Sequence, residues 1–233
     1  IISQLDRKID ASLGRLQRDF VELYQLHNRI QSVGDKDNFS AKDILKRGGV
    51  ADAMEKFKSD ERIKSIGITA LGDIDAINEV VLSDCFDVAQ IYYNLLNPSA
   101  SYNTSGNWND HNFSNLINNC ISKDMGLMNI RIYAAGYLAT DKRHGREIPI
   151  TFGINENELN RRVEKINLIF NDVKGTKAQK ALRYGLSNKD MSTIVIGLAN
   201  IEHLEEALEG YDQGHLDEET LMRIEELQNK NFN

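Results

Sequence analysis

The 233 residues carry 28 Lys and Arg against 35 Asp and Glu, a net charge of −7, and are 41% hydrophobic and 27% charged. That composition suits a chain that buries a core and excludes wholesale disorder, while the acidic balance argues against a dedicated nucleic-acid binder. No apolar run reaches the ~18–20 residues of a membrane span, and two cysteines, Cys85 and Cys120, exclude a disulfide framework, which fits a reducing, cytoplasmic setting.

The chain opens on Ile rather than Met. Ile1, Ile2, Leu5, Ile9, Leu13 and Leu16 already recur at helical steps with no cap residue before them, so we expect a preceding segment in the natural protein. Residues 20–27 mix β-branched, aromatic and aliphatic side chains and read as a buried strand. After the Gly48-Gly49 break, 50–58 is an amphipathic helix. A strand is expected at 64–69, then a helix at 73–82 that Asp73 can cap, and a third strand at 86–92. A polar loop, 94–109, leads to a helix at about 112–123 and a strand at 129–134. A second loop, 139–153, precedes helices at 156–170 and 177–186, a strand at 192–196, and closing helices at about 201–209 and 217–230.

Five strands, each followed by a helix, force parallel pairing with helices covering the sheet. No repeat or low-complexity linker divides the chain, so 1–233 reads as a single domain. An open dinucleotide-binding sheet calls for G-x-G-x-x-G after its first strand, which is absent. The pattern fits an α/β chain of the (β/α)8 TIM barrel type with only about five C-terminal β/α units present. No H-E-x-x-H or paired metal spacing joins the five His, so no metal site is expected.

Four segments in register resemble the aldo-keto reductase superfamily, with the N-terminal third of its barrel missing. Residues 11–27 resemble a helix and strand ending in an active-site His. Residues 63–69 resemble a strand that ends in Gly-Val-Ser-Asn. Residues 86–97 resemble a Gln-containing strand and its Tyr-Asn turn. Ile194-Val-Ile-Gly-Leu-Ala-Asn200, followed by Glu202-His-Leu-Glu-Glu206, is similar to the last strand and the helix that grips phosphate.

The resemblance implies an NAD(P)H-dependent oxidoreductase that interconverts aldehydes, ketones or sugar lactols with alcohols or lactones by hydride transfer. It makes His27 the catalytic residue that orients the carbonyl. Thr69 stands for a Ser that bonds the nicotinamide amide, Ala70 for a lost Asn, and Gln90 for the Gln on the other side of that amide. Tyr133 is either the ring expected to stack on nicotinamide (Arg131 if the register differs) or a core-packing Tyr, and Ala134 to Gly136 the turn beside the pyrophosphate. Gly197, Asn200, His203 and Glu206 fall on the phosphate and adenine side. A basic residue is missing at Gly197 and at His203, which favours NADH at least as much as NADPH. The basic run 142–146 reads as a solvated loop or, at the C-terminal face of a barrel, as a clasp over the pyrophosphate. The family's acid, a Tyr with a Lys and an Asp beside it, lies upstream of the matched segments. The alternative is a non-catalytic relative, a binding or regulatory subunit. Partners implied are a small carbonyl or sugar substrate, with no nucleic acid and no membrane.

Overall fold

The computed structural model describes residues 2–102, 108, 110–142 and 154–233. They fall into two compact units, the first made of 1–91 and 116–127, the second of 92–115 and 128–233.

The first unit opens with α1 (Ile2–Leu16), which buries Ile9 and Leu13 and packs on α3. Strand β1 (Val21–Leu26) pairs in parallel with β4 (Ile63–Ala70), and β4 pairs in parallel with β5 (Val88–Tyr92). The register sets Gln25 opposite Gly67 and Thr69 opposite Gln90. Helix α3 (Val50–Ser59), which buries Met54 and Phe57, packs on β4, and α4 (Ile74–Val81), capped by Asp73 as expected, packs on α5 (Leu116–Ser122). Ile66, Ile68, Phe57 and Ile77 are all at most 2% exposed. Each such side chain contributes about 1.5–3 kcal/mol of burial, which makes this layer the frame of the unit.

Between β1 and α3 the chain forms a motif absent from the sequence reading. Two short parallel strands, β2 (Ile30–Gln31) and β3 (Phe39–Ser40), run into α2 (Ala41–Leu45) through a capping box of Ser40 and Asp43. Ile30 is also zipped to the turn after β4: its N–H donates to Leu71 O at 2.9 Å, and Asp73 N–H donates to Ile30 O at 2.8 Å. The Ser32 hydroxyl donates to Asp73 as well. Gly72 sits inside this clasp at φ +133°, where a Cβ would stand 1.9 Å from Ile30 O. Only glycine fits there.

Strand β6 (Gly126–Ile130) ends in the second unit, where it pairs in parallel with β7 (Thr193–Val195). The expected strand at 129–134 is corrected here. The ladder stops at Ile130 opposite Val195, Arg131 turns to φ +62°, and Ala134 to Gly136 form a 3-10 turn with φ of +46°, +56° and +98°. Tyr133 therefore lies in a turn and not on a strand. Helices α6 (Glu156–Ile169) and α9 (Glu218–Asn229) pack together, as do α7 (Lys177–Leu186) and α8 (Ile201–Asp212). Arg162 of α6 is fully buried. It reaches Leu96 O at 3.0 Å, Glu158 at 3.2 Å and Asp110 at 3.6 Å, between the rings of Trp108 and Phe232. One guanidinium thus ties the chain after β5 and the last residues to one helix. A buried cation is tolerated because two carboxylates and a carbonyl surround it.

Candidate functional site

In the first unit three polar side chains form a hydrogen-bonded row. Thr69, 2% exposed, donates its hydroxyl to Gln90 Oε1 at 2.9 Å, and Gln90 Nε2 donates to Gln25 Oε1 at 3.0 Å. Thr69 is the penultimate residue of β4 and Gln90 lies opposite it on β5, towards the ends of the strands where parallel sheets with helical crossovers place their chemistry. His27 is the first residue beyond β1. It is exposed, and its ring makes no hydrogen bond among the described residues, so both nitrogens are open to a ligand. The clasp at Ile30 and Gly72 holds the chain three residues beyond His27 to the chain three residues beyond Thr69. Gln25 was not singled out in the sequence; its signal was the only amide in β1, between Tyr24 and Leu26.

In the second unit Tyr133 is half-buried just past β6. Burial, with the negative charge of Glu206 adding to it, pushes its hydroxyl up to about 12, so it stays protonated. Asn200 is the N-cap of α8 and accepts from His203 N–H at 3.0 Å, while His203 Nδ1 accepts from Ala199 N–H at 3.3 Å. Glu206 accepts from the Thr176 hydroxyl at 2.6 Å, tying the start of α7 to α8. Gly197 follows β7 with no atom within 4 Å of where a Cβ would stand, so a side chain fits there. A cavity of about 300 Å³ between α7, β7 and α8 is lined mainly by apolar groups such as Leu182, Met191, Ile194 and Leu208. It contains none of the expected site residues. Of the basic run, Lys142 is described and 143–146 lie outside the described residues. Among the described residues no group of three or more His, Cys, Asp or Glu could hold a metal ion, and no helix is long and apolar enough to cross a membrane.

The model of the Aldo/keto reductase family matches residues 2–229. The chain belongs to the aldo-keto reductase family. It is 26% identical over 239 residues to L-galactose dehydrogenase of Arabidopsis thaliana, covering 95% of this chain and 63% of that protein. Among solved structures it resembles the aldo-keto reductase AKR11C1 from Bacillus halodurans in its holo form, with a TM-score of 0.71 and 18% identity over 97% of this chain and 65% of that one. It also resembles an aldo-keto reductase from Klebsiella pneumoniae in complex with NADPH, with a TM-score of 0.64 and 20% identity over 97% and 64% of the two chains. The chain therefore has the parallel α/β fold of the aldo-keto reductase barrels and spans about two thirds of the length of these relatives.

Within this chain, the expected site residues stand as two groups. His27 follows β1, Thr69 is the penultimate residue of β4 and Gln90 the middle residue of β5, and a hydrogen bond joins Thr69 directly to Gln90. Tyr133, Ala134 and Gly136 lie in the turn after β6, and Gly197, Asn200, His203 and Glu206 at the join of β7 and α8. Ala70, next to Thr69 on β4, is fully buried.

Proposed function

We propose that the chain is the greater part of a nicotinamide-dependent aldo-keto reductase that interconverts aldehydes, ketones or sugar lactols with alcohols or lactones. The observation that carries this reading is the Thr69–Gln90 pair. Its donor set suits a primary carboxamide: with the Thr69 proton committed to Gln90, the Thr69 oxygen can accept an N–H, and the second Nε2 hydrogen of Gln90 can donate to a C=O. A bound NADH or NADPH would supply the hydride. His27, open on both ring nitrogens, would donate a hydrogen bond to the substrate carbonyl and orient it. Tyr133, held neutral, would offer its ring face, and the small residues Ala134 and Gly136 would leave backbone exposed to a pyrophosphate. The acid of the family has no counterpart in the matched segments, so the steps assigned to this chain are binding and orientation. The likeness to L-galactose dehydrogenase supports a sugar among the substrates.

Cofactor choice tests the phosphate side. A 2′-phosphate calls for Lys or Arg, each charge-assisted bond contributing about 1.5–3 kcal/mol. At the matching positions stand Gly197 and His203, and the Nδ1 of His203 is already engaged by Ala199. Glu202, Glu205 and Glu206 add negative charge. We expect NADH to bind at least as tightly as NADPH in a fluorescence titration at fixed salt. Gly197→Lys, which has open space to occupy, and His203→Arg should each shift preference toward NADPH. A tenfold preference for NADPH in the unmodified protein would show the phosphate residues misassigned. A second reading, a relative that binds without reacting, draws on the bonds that already engage Asn200, His203 and Glu206. Nucleotide binding without turnover in the natural protein would select it.

A further inference from the structure

We propose that Gln25 is a positioning residue that fixes which way the Gln90 carboxamide faces; the inference rests on the nicotinamide-binding reading of Thr69 and Gln90. Gln25 and Gln90 lie on strands that do not pair with each other, because β4 stands between β1 and β5. Two strand spacings are about 9.6 Å, so the side chains must meet over β4. Gly67 is the residue of β4 in register with Gln25, and a Cβ there would sit 3.0 Å from both Cγ and Nε2 of Gln25. The missing side chain is what lets Gln25 lie across the strand and bring its oxygen to Gln90 Nε2.

Thr69 alone does not orient Gln90. A hydroxyl donates or accepts by rotating, so it bonds either end of an amide. A flipped Gln90 would set its oxygen against Gln25 Oε1, two acceptors facing each other. Gln25 sets that direction while its own amide presents Oε1, and in that orientation the row runs from Thr69 to Gln90 to Gln25, every donor pointing one way. That polarity leaves an acceptor at Thr69 beside a donor at Gln90, so a ligand carboxamide meets the row in a single orientation. Substituting Gln25 by Met removes the acceptor at similar length. Substituting it by Glu keeps an acceptor and removes any donor, so it preserves the polarity.

The test uses the full chain as wild type, Gln25→Met and Gln25→Glu. In ligand-free protein, the Gln90 side-chain amide proton bonded to Gln25 is followed by NMR. It should move upfield toward a free amide in Gln25→Met and stay downfield in Gln25→Glu. In titrations, Gln25→Met should weaken NADH binding about tenfold, the worth of one hydrogen bond, and leave ADP-ribose, which lacks the ring, within about twofold; Gln25→Glu should restore NADH binding. An unchanged Gln90 proton in Gln25→Met overturns the inference, as does equal weakening of NADH and ADP-ribose, which would mark Gln25 as merely structural. A wild-type chain whose Gln90 proton responds as expected, but which binds NADH no better than ADP-ribose, keeps the Gln25 contact and overturns the nicotinamide reading instead.

Discussion

Asn129 is fully buried on β6, and neither its amide nitrogen nor its amide oxygen has a hydrogen-bond partner among the described residues. Its surroundings are Gly185 and, beside that glycine, the side chains of Ile132 and Ile194. Leaving such groups unmade costs about 1–3 kcal/mol, whereas an apolar group of the same shape costs nothing of the kind. Asn129→Leu keeps the branched shape at a larger volume and removes both polar atoms. It should stabilise the chain by about 1–2 kcal/mol, seen as a higher urea midpoint at unchanged slope. Gly72 runs the other way. A Cβ there meets the Ile30 carbonyl at 1.9 Å, and φ +133° lies outside what L-residues adopt. Gly72→Ala must open the clasp that joins the chain beyond His27 to the chain beyond Thr69. We expect a loss of about 2–3 kcal/mol in denaturant melts, where Gly197→Ala, in open space, should cost little.

At the scale of elements, the capping box before α2 carries a pH dependence. Lys46 first, and the Ser40 hydroxyl second, hold the Asp43 carboxyl down from 3.8 to about 2. A carboxyl depressed on folding adds stability that is complete above its unfolded value and is lost as pH falls through the folded one. The contribution should therefore be intact at pH 5 and vanish between about pH 4 and pH 2. Urea midpoints taken across that window should fall less steeply in Asp43→Asn than in the wild type. Strand β6 illustrates how an element's end is decided. The run Asn129-Ile-Arg-Ile-Tyr-Ala134 alternates and carries β-branched and aromatic residues, so local propensity extends it to 134. Its partner β7 is only three residues long, and the ladder stops with it at Ile130. Arg131 then takes φ +62°, which puts Tyr133 in the turn. Helices with explicit caps behaved differently. Asp73, Asn155, Thr176, Asn200 and Asp217 each accept a backbone N–H in the first turn of the helix they precede, and those starts were legible in the sequence.

For the molecule as a whole, the second unit leaves apolar surface in water. Val195, Leu198, Ile201, Leu204, Leu208 and Tyr211 are 37–63% exposed, and β7 has its described ladder on one side only. Exposed strand edges and apolar patches of this kind recruit partners. The net charge of −7 and the glutamates of α8 oppose association, and salt screens that repulsion over ~10 Å at 0.1 M. Sedimentation velocity of the 233-residue chain should therefore show self-association that grows with protein concentration and with added NaCl. Leu208→Glu should reduce it. A monodisperse monomer at both salt levels would mean that this face is not sticky.

The residue pattern by itself determined the alternation of strands and helices, the parallel α/β class, and the family, because periodicity, caps and ordered motifs are local signals that survive without coordinates. It also put His27 and Thr69 at the ends of the expected strands 20–27 and 64–69, within one residue of where β1 and β4 stop. What only the tertiary structure decided depends on groups far apart in the chain. The clasp of Ile30 with Gly72, the end of β6, the engagement of Glu206 by Thr176 and the passage of Gln25 over Gly67 each join residues from different elements. No local propensity encodes such a meeting. It follows from strand register, which brings one particular glycine beneath one particular glutamine and joins an unremarked amide to Gln90.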